Sequence, residues 1–273
     1  MMRNRLPGIV AITMVLATPY VVEGQTQTPP DPVRERIDLG ISAHRGRDPV
    51  QARHFLEQAI ELDSTSYEAQ WRLAEVLMDI GKQTPDSVKS PARDSLYELS
   101  EAHARIAATL QPDSVDGHYT LAAAIGRASL TKSKKERVKR AREIREEALR
   151  ALGIDSTHDK AQHVLGRWNA EIMRLSGFER FFAKTFLGGN VFNAASWDSA
   201  VVYMDRAVAL APSTIYHRLT LAEILVDLKR YSQAREQLHR VGELPIYDAM
   251  DPQYRTDAAA LLGRIEGKKD KGS

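Results

Sequence analysis

Eight histidines, one glycine pair and a few acid–base runs are the residues of this chain whose types could do chemistry. The histidines are His44, His54, His103, His118, His158, His163, His217 and His239. Zinc hydrolases need two imidazoles one helical turn apart with a glutamate between them, and no such HExxH pair occurs. His158 and His163 stand five apart, roughly 500° around a helix, so they face different directions. Gly188-Gly189-Asn190 lacks the Lys-Ser/Thr that grips nucleotide phosphates and reads as a helix terminator and turn. There is no Gly-x-Ser-x-Gly elbow, and no cysteine for a thiol nucleophile, a disulfide or a cysteine zinc site. The expectation is therefore a non-enzymatic protein with no catalytic residue, no cofactor and no metal ligand.

Two segments could instead recognise a partner. Lys132 to Arg150 carries nine Lys/Arg against four Glu, which could attract an anionic polymer or lipid surface. Val138, Ala141, Ile144 and Ala148 share one face of that segment, however, so the charges read as the solvated side of a packed helix, with Glu143 and Glu147 pairing locally. Net charge is only +2, and no nucleic acid is expected as a partner. The stretch 177–193 holds Phe178, Phe181, Phe182, Phe186 and Phe192, five of the chain's six phenylalanines. It reads as a structural extension, or alternatively as an exposed apolar patch for a partner or a peripheral membrane contact.

The elements that carry these residues are helices. After a polar start, almost every segment has helical periodicity, and no strand alternation appears. The helices fall into pairs with a recurring small-residue code. Units begin at Val33, Tyr67, Val115, Asp159 and Ile215, spaced 34, 48, 44 and 56 residues apart. Each opens with an apolar–small couple: Leu39-Gly40, Leu73-Ala74, Leu121-Ala122, Leu165-Gly166 and Leu221-Ala222. Small residues recur in the second helices, as at Ala200 and Ala207. At a helix crossing only Gly, Ala or Ser lets two backbones approach, so Gly40, Ala74, Ala122, Gly166, Ala200, Ala207 and Ala222 are assigned to crossings. The code and the first 34-residue spacing resemble the tetratricopeptide (TPR) repeat. The predicted fold is an all-α, right-handed α-solenoid of about five TPR-like helix pairs, with a capping helix from about Tyr254 to Arg264. The longer spacings imply insertions at one edge of the array.

Residues 163–188 read HVLGRWNAEIMRLSGFERFFAKTFLG. Through Leu165, Gly166, Trp168, Leu175, Ser176, Glu179, Arg180, Ala183, Leu187 and Gly188 they resemble the signature of the regulator of microtubule dynamics family, whose members are TPR-like proteins. The resemblance implies the fold and the repeat number. A tubulin partner, which the family name suggests, is at odds with an exported chain.

Export is expected because Arg3 and Arg5 precede a short apolar run from Leu6 to Ala17, broken at Pro19, with small residues before Gln25. The sequence thus divides into a signal peptide at 1–24, a Pro-rich linker at 25–32, the repeat domain at 33–267 and a polar charged tail at 268–273. A periplasmic or secreted location follows, with an uncleaved N-terminal anchor as the alternative.

By resemblance to TPR proteins, positions 2, 5, 9, 12 and 13 of each first helix line a concave groove, on the side away from the crossing residues. Those positions bring Trp71, Glu75, Tyr119, Arg127, His163, Arg167, Glu171, Tyr216 and Glu223 to the groove, with Arg34, Arg45, Asp79 and Asp227 around them. Trp168, one position further on, is expected to pack inward. The Lys/Asn carboxylate clamp of chaperone-binding relatives is not matched, since Glu75, Ala123 and Glu223 stand at position 9. Aromatic anchors among mixed charges suit a protein or peptide partner.

Overall fold

The computed structural model describes residues 31–176 and 189–271. Among them are α1 (Pro32–Arg45), α2 (Pro49–Leu62), α3 (Tyr67–Lys82), α4 (Pro91–Leu110), α5 (Val115–Ala128) and α6 (Lys134–Ile154). These are followed by α7 (Asp159–Arg174), α8 (Trp197–Leu210), α9 (Ile215–Asp227), α10 (Tyr231–Glu243) and α11 (Asp251–Ile265). Two 3₁₀ turns lie at Ser129–Thr131 and Gly189–Ala194, and no strand occurs among the described residues.

The helix starts are written in capping residues. Asp31, Asp48, Ser66, Ser90, Ser133 and Ser196 each accept a hydrogen bond from a backbone N–H of the first turn that would otherwise lack a partner. Proline fills the first turn of α1, α2 and α4, where its missing N–H costs nothing. His158 does the same work for α7, its Nδ1 accepting from Ala161 N–H at 3.1 Å. Pro32 is thus the first helical residue and not the last of the linker. The final helix begins at Asp251, three residues before its expected start, because the Asp251 carboxylate accepts the N–H groups of Tyr247 and Asp248 and folds the chain into the helix.

Consecutive helices pack as α1–α2, α3–α4, α5–α6, α7–α8 and α9–α10, with α11 on the last pair. The α3–α4 pair is antiparallel: a Cβ on Gly81 would meet Tyr97, Ser100 Oγ donates to the Ala74 carbonyl at 2.7 Å, and His103 bonds Gln70 at 2.7 Å. This is an α-solenoid of five helix pairs plus a cap. The crossing code is where the pairs close. Ala74, Ala122, Ala200, Ala207 and Ala222 are fully buried. A Cβ on Gly40 would fall 2.8 Å from Leu56 Cγ, and one on Gly166 would fall 2.6 Å from Met204. Leu39 departs from the code, for it is exposed while Ile37 is buried. Among the described residues no pair precedes α1 to cover the Leu39 face.

α6 behaves as an ordinary packed helix. Val138, Ala141 and Ile144 face Trp168, Ile172 and Phe192, and Ala148 is fully buried. Its glutamates pair chiefly across helices: Glu143 with Arg105 at 2.5 Å, and Glu147 with His118 at 2.6 Å, the i+3 contact of Glu147 to Arg150 being longer at 3.2 Å. Glu147 thus keeps a local contact beside its bond to the buried His118, while Glu143 pairs with Arg105 of α4. Of the Phe-rich stretch 177–193, Phe192 is described and buried under Trp168, whose Nε1 donates to the Ala141 carbonyl at 2.7 Å. The inward placement of Trp168 is as expected. Phe178, Phe181, Phe182, Phe186 and the signature residues Glu179, Arg180, Ala183, Leu187 and Gly188 lie outside the described residues.

Candidate functional site: a polar–aromatic groove

The first helices of the pairs, α3, α5, α7 and α9, present one face to a common space. Residues three, four or seven apart share a helix face, and Glu75, Asp79 and Lys82 do so on α3. Lys160, His163, Arg167, Glu171 and Arg174 do so on α7. Side chains meet across intervening helices. Lys160 of α7 reaches Glu75 of α3 at 2.8 Å and lies 5.4 Å from the Tyr119 ring of α5. Arg127 of α5 reaches the Tyr216 hydroxyl of α9 at 3.3 Å. First helices two pairs apart thus share one face of the stack.

The centre is built on Tyr216. Its hydroxyl accepts hydrogen bonds from both Arg167 and Arg127. Its ring stacks on Tyr254 of α11 at 4.7 Å and lies tilted against His163 at 4.5 Å. Burial alone would raise the phenol pKa, but the positive charges of Arg167, Arg127 and Lys82 overcome this and lower it. The same burial raises Tyr119 and Tyr254 above the usual phenol range, so both stay protonated.

Around this centre most charges are paired. Lys82 bonds Asp79 at 2.7 Å, and His44 meets the other Asp79 oxygen at 2.8 Å. Burial opposes the charge on Asp79, yet Lys82 and His44 hold its carboxyl far below the ordinary value. Arg174 bonds Asp227 at 2.6 Å and Glu171 at 2.7 Å. Desolvation pushes the Glu223 carboxyl upward. Asp248, just before α11, is also raised by desolvation and by the nearby charge of Asp79.

Behind the centre runs a buried chain. His163 Nδ1 lies 2.9 Å from His217 Nδ1, and His217 Nε2 lies 2.8 Å from an Asp159 oxygen. In the tautomer where His217 is neutral and donates Nε2–H to Asp159, its Nδ1 accepts a hydrogen bond from His163 Nδ1–H. His163 Nε2 is then an acceptor, buried and without a partner. Burial, followed by the neighbouring His217, Arg167, Lys82 and Arg127, holds the His163 pKa well below the usual value.

The structure brings together Glu75, Tyr119, Arg127, His163, Arg167, Glu171, Tyr216 and Glu223 of the sequence-predicted groove. His163 supports the groove from within, at 6% exposure. Trp71, at 9% exposure, is likewise a core residue, with the Arg72 guanidinium 4.3 Å over its ring. Arg34 sits at the edge, paired with Glu68 at 2.7 Å. Lys82, Arg174 and Tyr254 were not foreseen. Lys82 and Arg174 stand at position 16, one heptad beyond position 9, and that spacing is the signal that would have found them. Tyr254 comes from the cap, which the repeat register does not cover. No group of three or more His, Asp or Glu side chains is placed to hold a metal ion among the described residues.

The sequence profile of the family described as regulator of microtubule dynamics protein 1-3 matches residues 41–266. The chain belongs to this family. No curated protein matches it significantly. Among solved structures it is similar to TTC0263, a TPR protein of Thermus thermophilus, at a TM-score of 0.58 and 17% identity. That alignment covers 84% of this chain and 98% of the other. PilW, a type IV pilus biogenesis factor, aligns at a TM-score of 0.52 and 18% identity over 86% of this chain and 87% of its own. Pseudomonas aeruginosa pilF aligns at 0.50 and 15% identity over 86% of this chain and 90% of its own. At such identities the likeness shows the fold, that of a TPR protein.

Proposed function

We propose that this family member is a non-catalytic scaffold of the cell envelope that binds an extended protein segment in the groove of its first helices. The observation that carries the reading is the cluster of Tyr119, Arg127, Arg167, Tyr216 and Tyr254, contributed by four helices to one place. Tyrosine and arginine supply large contact area and directed hydrogen bonds at modest entropic cost, which is why they dominate the centres of protein interfaces. Glu75, Glu171 and Glu223 form the polar rim, while Trp71 and His163 hold the wall from behind.

The test is site-directed photo-crosslinking in native cells. A photoreactive residue is placed at Tyr119 or Tyr254 in the groove, or at Leu99 or Val202, which are exposed on second helices. A partner crosslinked only from Tyr119 and Tyr254 is expected. Crosslinks arising only from Leu99 or Val202 would place binding on the opposite face and refute the groove.

A further inference from the structure

We propose that the centre of the groove is a seat for one carboxylate of the bound segment, held between Arg127 and Arg167 beside the Tyr216 hydroxyl. The inference rests on the groove reading above and names the chemistry of its occupant.

The first argument is the uneven pairing of the groove cations. Lys82, Lys160 and Arg174 each have a carboxylate oxygen within 2.8 Å. Arg127 and Arg167 do not. The nearest carboxylate to Arg127 is that of Asp86 at 3.4 Å, half-exposed, and the nearest to Arg167 is that of Glu171 at 3.8 Å. Both guanidinium groups instead converge on one neutral phenol oxygen. A carboxylate carries the opposite charge and can accept two parallel N–H bonds from a guanidinium group, so one entering here offers both arginines a stronger acceptor than the neutral phenol. Tyr216 keeps its place between Tyr254 and His163, and its freed O–H becomes a third donor to the anion.

The second argument is that the seat is already formed. Tyr216 is fixed between the Tyr254 ring at 4.7 Å and the buried His163 ring at 4.5 Å, so its hydroxyl and the two guanidinium groups hold their places before any segment binds.

The third argument sets the charge of the occupant. Glu171 lies close to Arg167, Glu223 interacts electrostatically with it, and Asp79 and Asp248 flank Lys82. These acids limit the excess positive charge, so the seat fits a single negative charge better than the two of a phosphate. The occupant is an Asp or Glu side chain or a free C-terminus of a protein. It would be gripped by residues at positions other than those of the Lys/Asn clamp, which this chain lacks.

The experiment is selection of a phage-displayed random dodecapeptide library on the full chain, followed by synthesis of the recovered peptides. Affinities are read by fluorescence anisotropy, with circular dichroism confirming that each protein variant folds. The expected peptides carry an Asp or Glu, or need a free C-terminus. Asp→Asn, Glu→Gln or C-terminal amidation in the peptide is expected to weaken binding about tenfold or more, as loss of a central charged contact does. Arg127→Gln and Arg167→Gln are expected to do the same, with Arg167→Lys recovering part of the loss. The peptide-side substitutions keep the test sound even if an arginine variant fails to fold. Peptides that bind without any carboxylate yet lose affinity in Tyr119→Ala would overturn the carboxylate seat and leave the groove standing. Peptides insensitive to every groove substitution, or no recovered peptides, would overturn both. Displacement by inorganic phosphate more readily than by acetate at equal ionic strength would overturn the single-charge seat.

Discussion

Two guanidinium groups share the Tyr216 hydroxyl because α5 and α7 direct long side chains past the helix between them and α9 supplies the acceptor. Such a site is held by its surroundings, and His163 is the clearest case. Its ring is buried, neutral and packed on Tyr216 and His217, and Arg167, Lys82 and Arg127 all disfavour a proton on it. Its pKa is lowered in the folded state, so below the unfolded value of about 6.5 the unfolded chain binds a proton that the folded chain refuses. Stability should therefore be complete above that pH and fall as the pH drops toward the folded pKa. The slope approaches about 1.4 kcal/mol per pH unit for one such proton. His44 acts in the opposite sense: burial disfavours its charge, but the hydrogen bond to Asp79 together with the charges of Asp79, Glu75 and Asp248 raises its pKa, so its contribution persists in acid and fades as pH rises. Denaturant unfolding between pH 7 and pH 5 is expected to show a shallower acid loss for His163→Gln than for the parent chain. Equal slopes would mean that His163 accepts a proton without cost. The sequence placed His163 in the groove from its register alone, but nothing in the sequence marked it as a buried neutral ring. That property comes from Tyr216 and His217, more than fifty residues away in the chain.

At the scale of the helices, the small-residue code proved a sound guide because a crossing leaves no room for error. Gly166 lies against Met204 and the Ala200 carbonyl, so Gly166→Leu should force the α7–α8 crossing open at about 1–3 kcal/mol. Gly81 is a tighter case that the code did not contain. A Cβ there would fall 2.4 Å from the Tyr97 ring, which is itself almost wholly buried. Even Gly81→Ala is expected to destabilise by a similar amount. Gly263, in the interior of α11 with nothing within 4 Å of a Cβ, provides the contrast. There Ala should stabilise by about 0.5–1 kcal/mol through backbone entropy. Chemical denaturation of the three variants checks the signs together, and a stabilised Gly81→Ala would show that the α3–α4 crossing can relax. The unit starts at Tyr67, Val115, Asp159 and Ile215 coincide with helix starts, since apolar period and capping residues are local signals. The cap was read three residues short because the Asp251 carboxylate, which starts it, bonds backward to its own loop. The cross-helix ion pairs of α6 were not legible for a related reason. A carboxylate on a helix face has several cations in reach, and tertiary packing chooses among them.

For the molecule as a whole, the N-terminal residues and the repeat array call for separate measurements. If Arg3, Arg5 and the apolar run from Leu6 to Ala17 act as an export signal, N-terminal sequencing of the native protein is expected to begin near Gln25. A start at Met1 or Met2 would contradict cleavage. No described helix is long and apolar enough to cross a membrane. In the array, each pair contacts its neighbours, so stability should vary along the chain as a sum of pair and interface terms. The two ends are unequal. α1 buries only Ile37 and Gly40 and leaves Leu39 in solvent, with a small cluster of Ile37, Ala59 and Ala69 beneath it. At the other end α11 closes a continuous core running through Met204, Ile215, Leu219, Ile224, Leu238 and Val241 to Leu261 and Ile265. Local opening is least costly where few apolar contacts must break. Native-state hydrogen exchange should therefore find α1 and α2 exchanging first, and α7 to α10 protected up to the global unfolding free energy. Removing α11 should reverse that order by exposing the apolar end it covers, and should lower the protection of α9 and α10 most. Uniform protection along the intact chain would mean that the pairs unfold as a single cooperative unit and that the end-to-end difference in core size has no energetic weight.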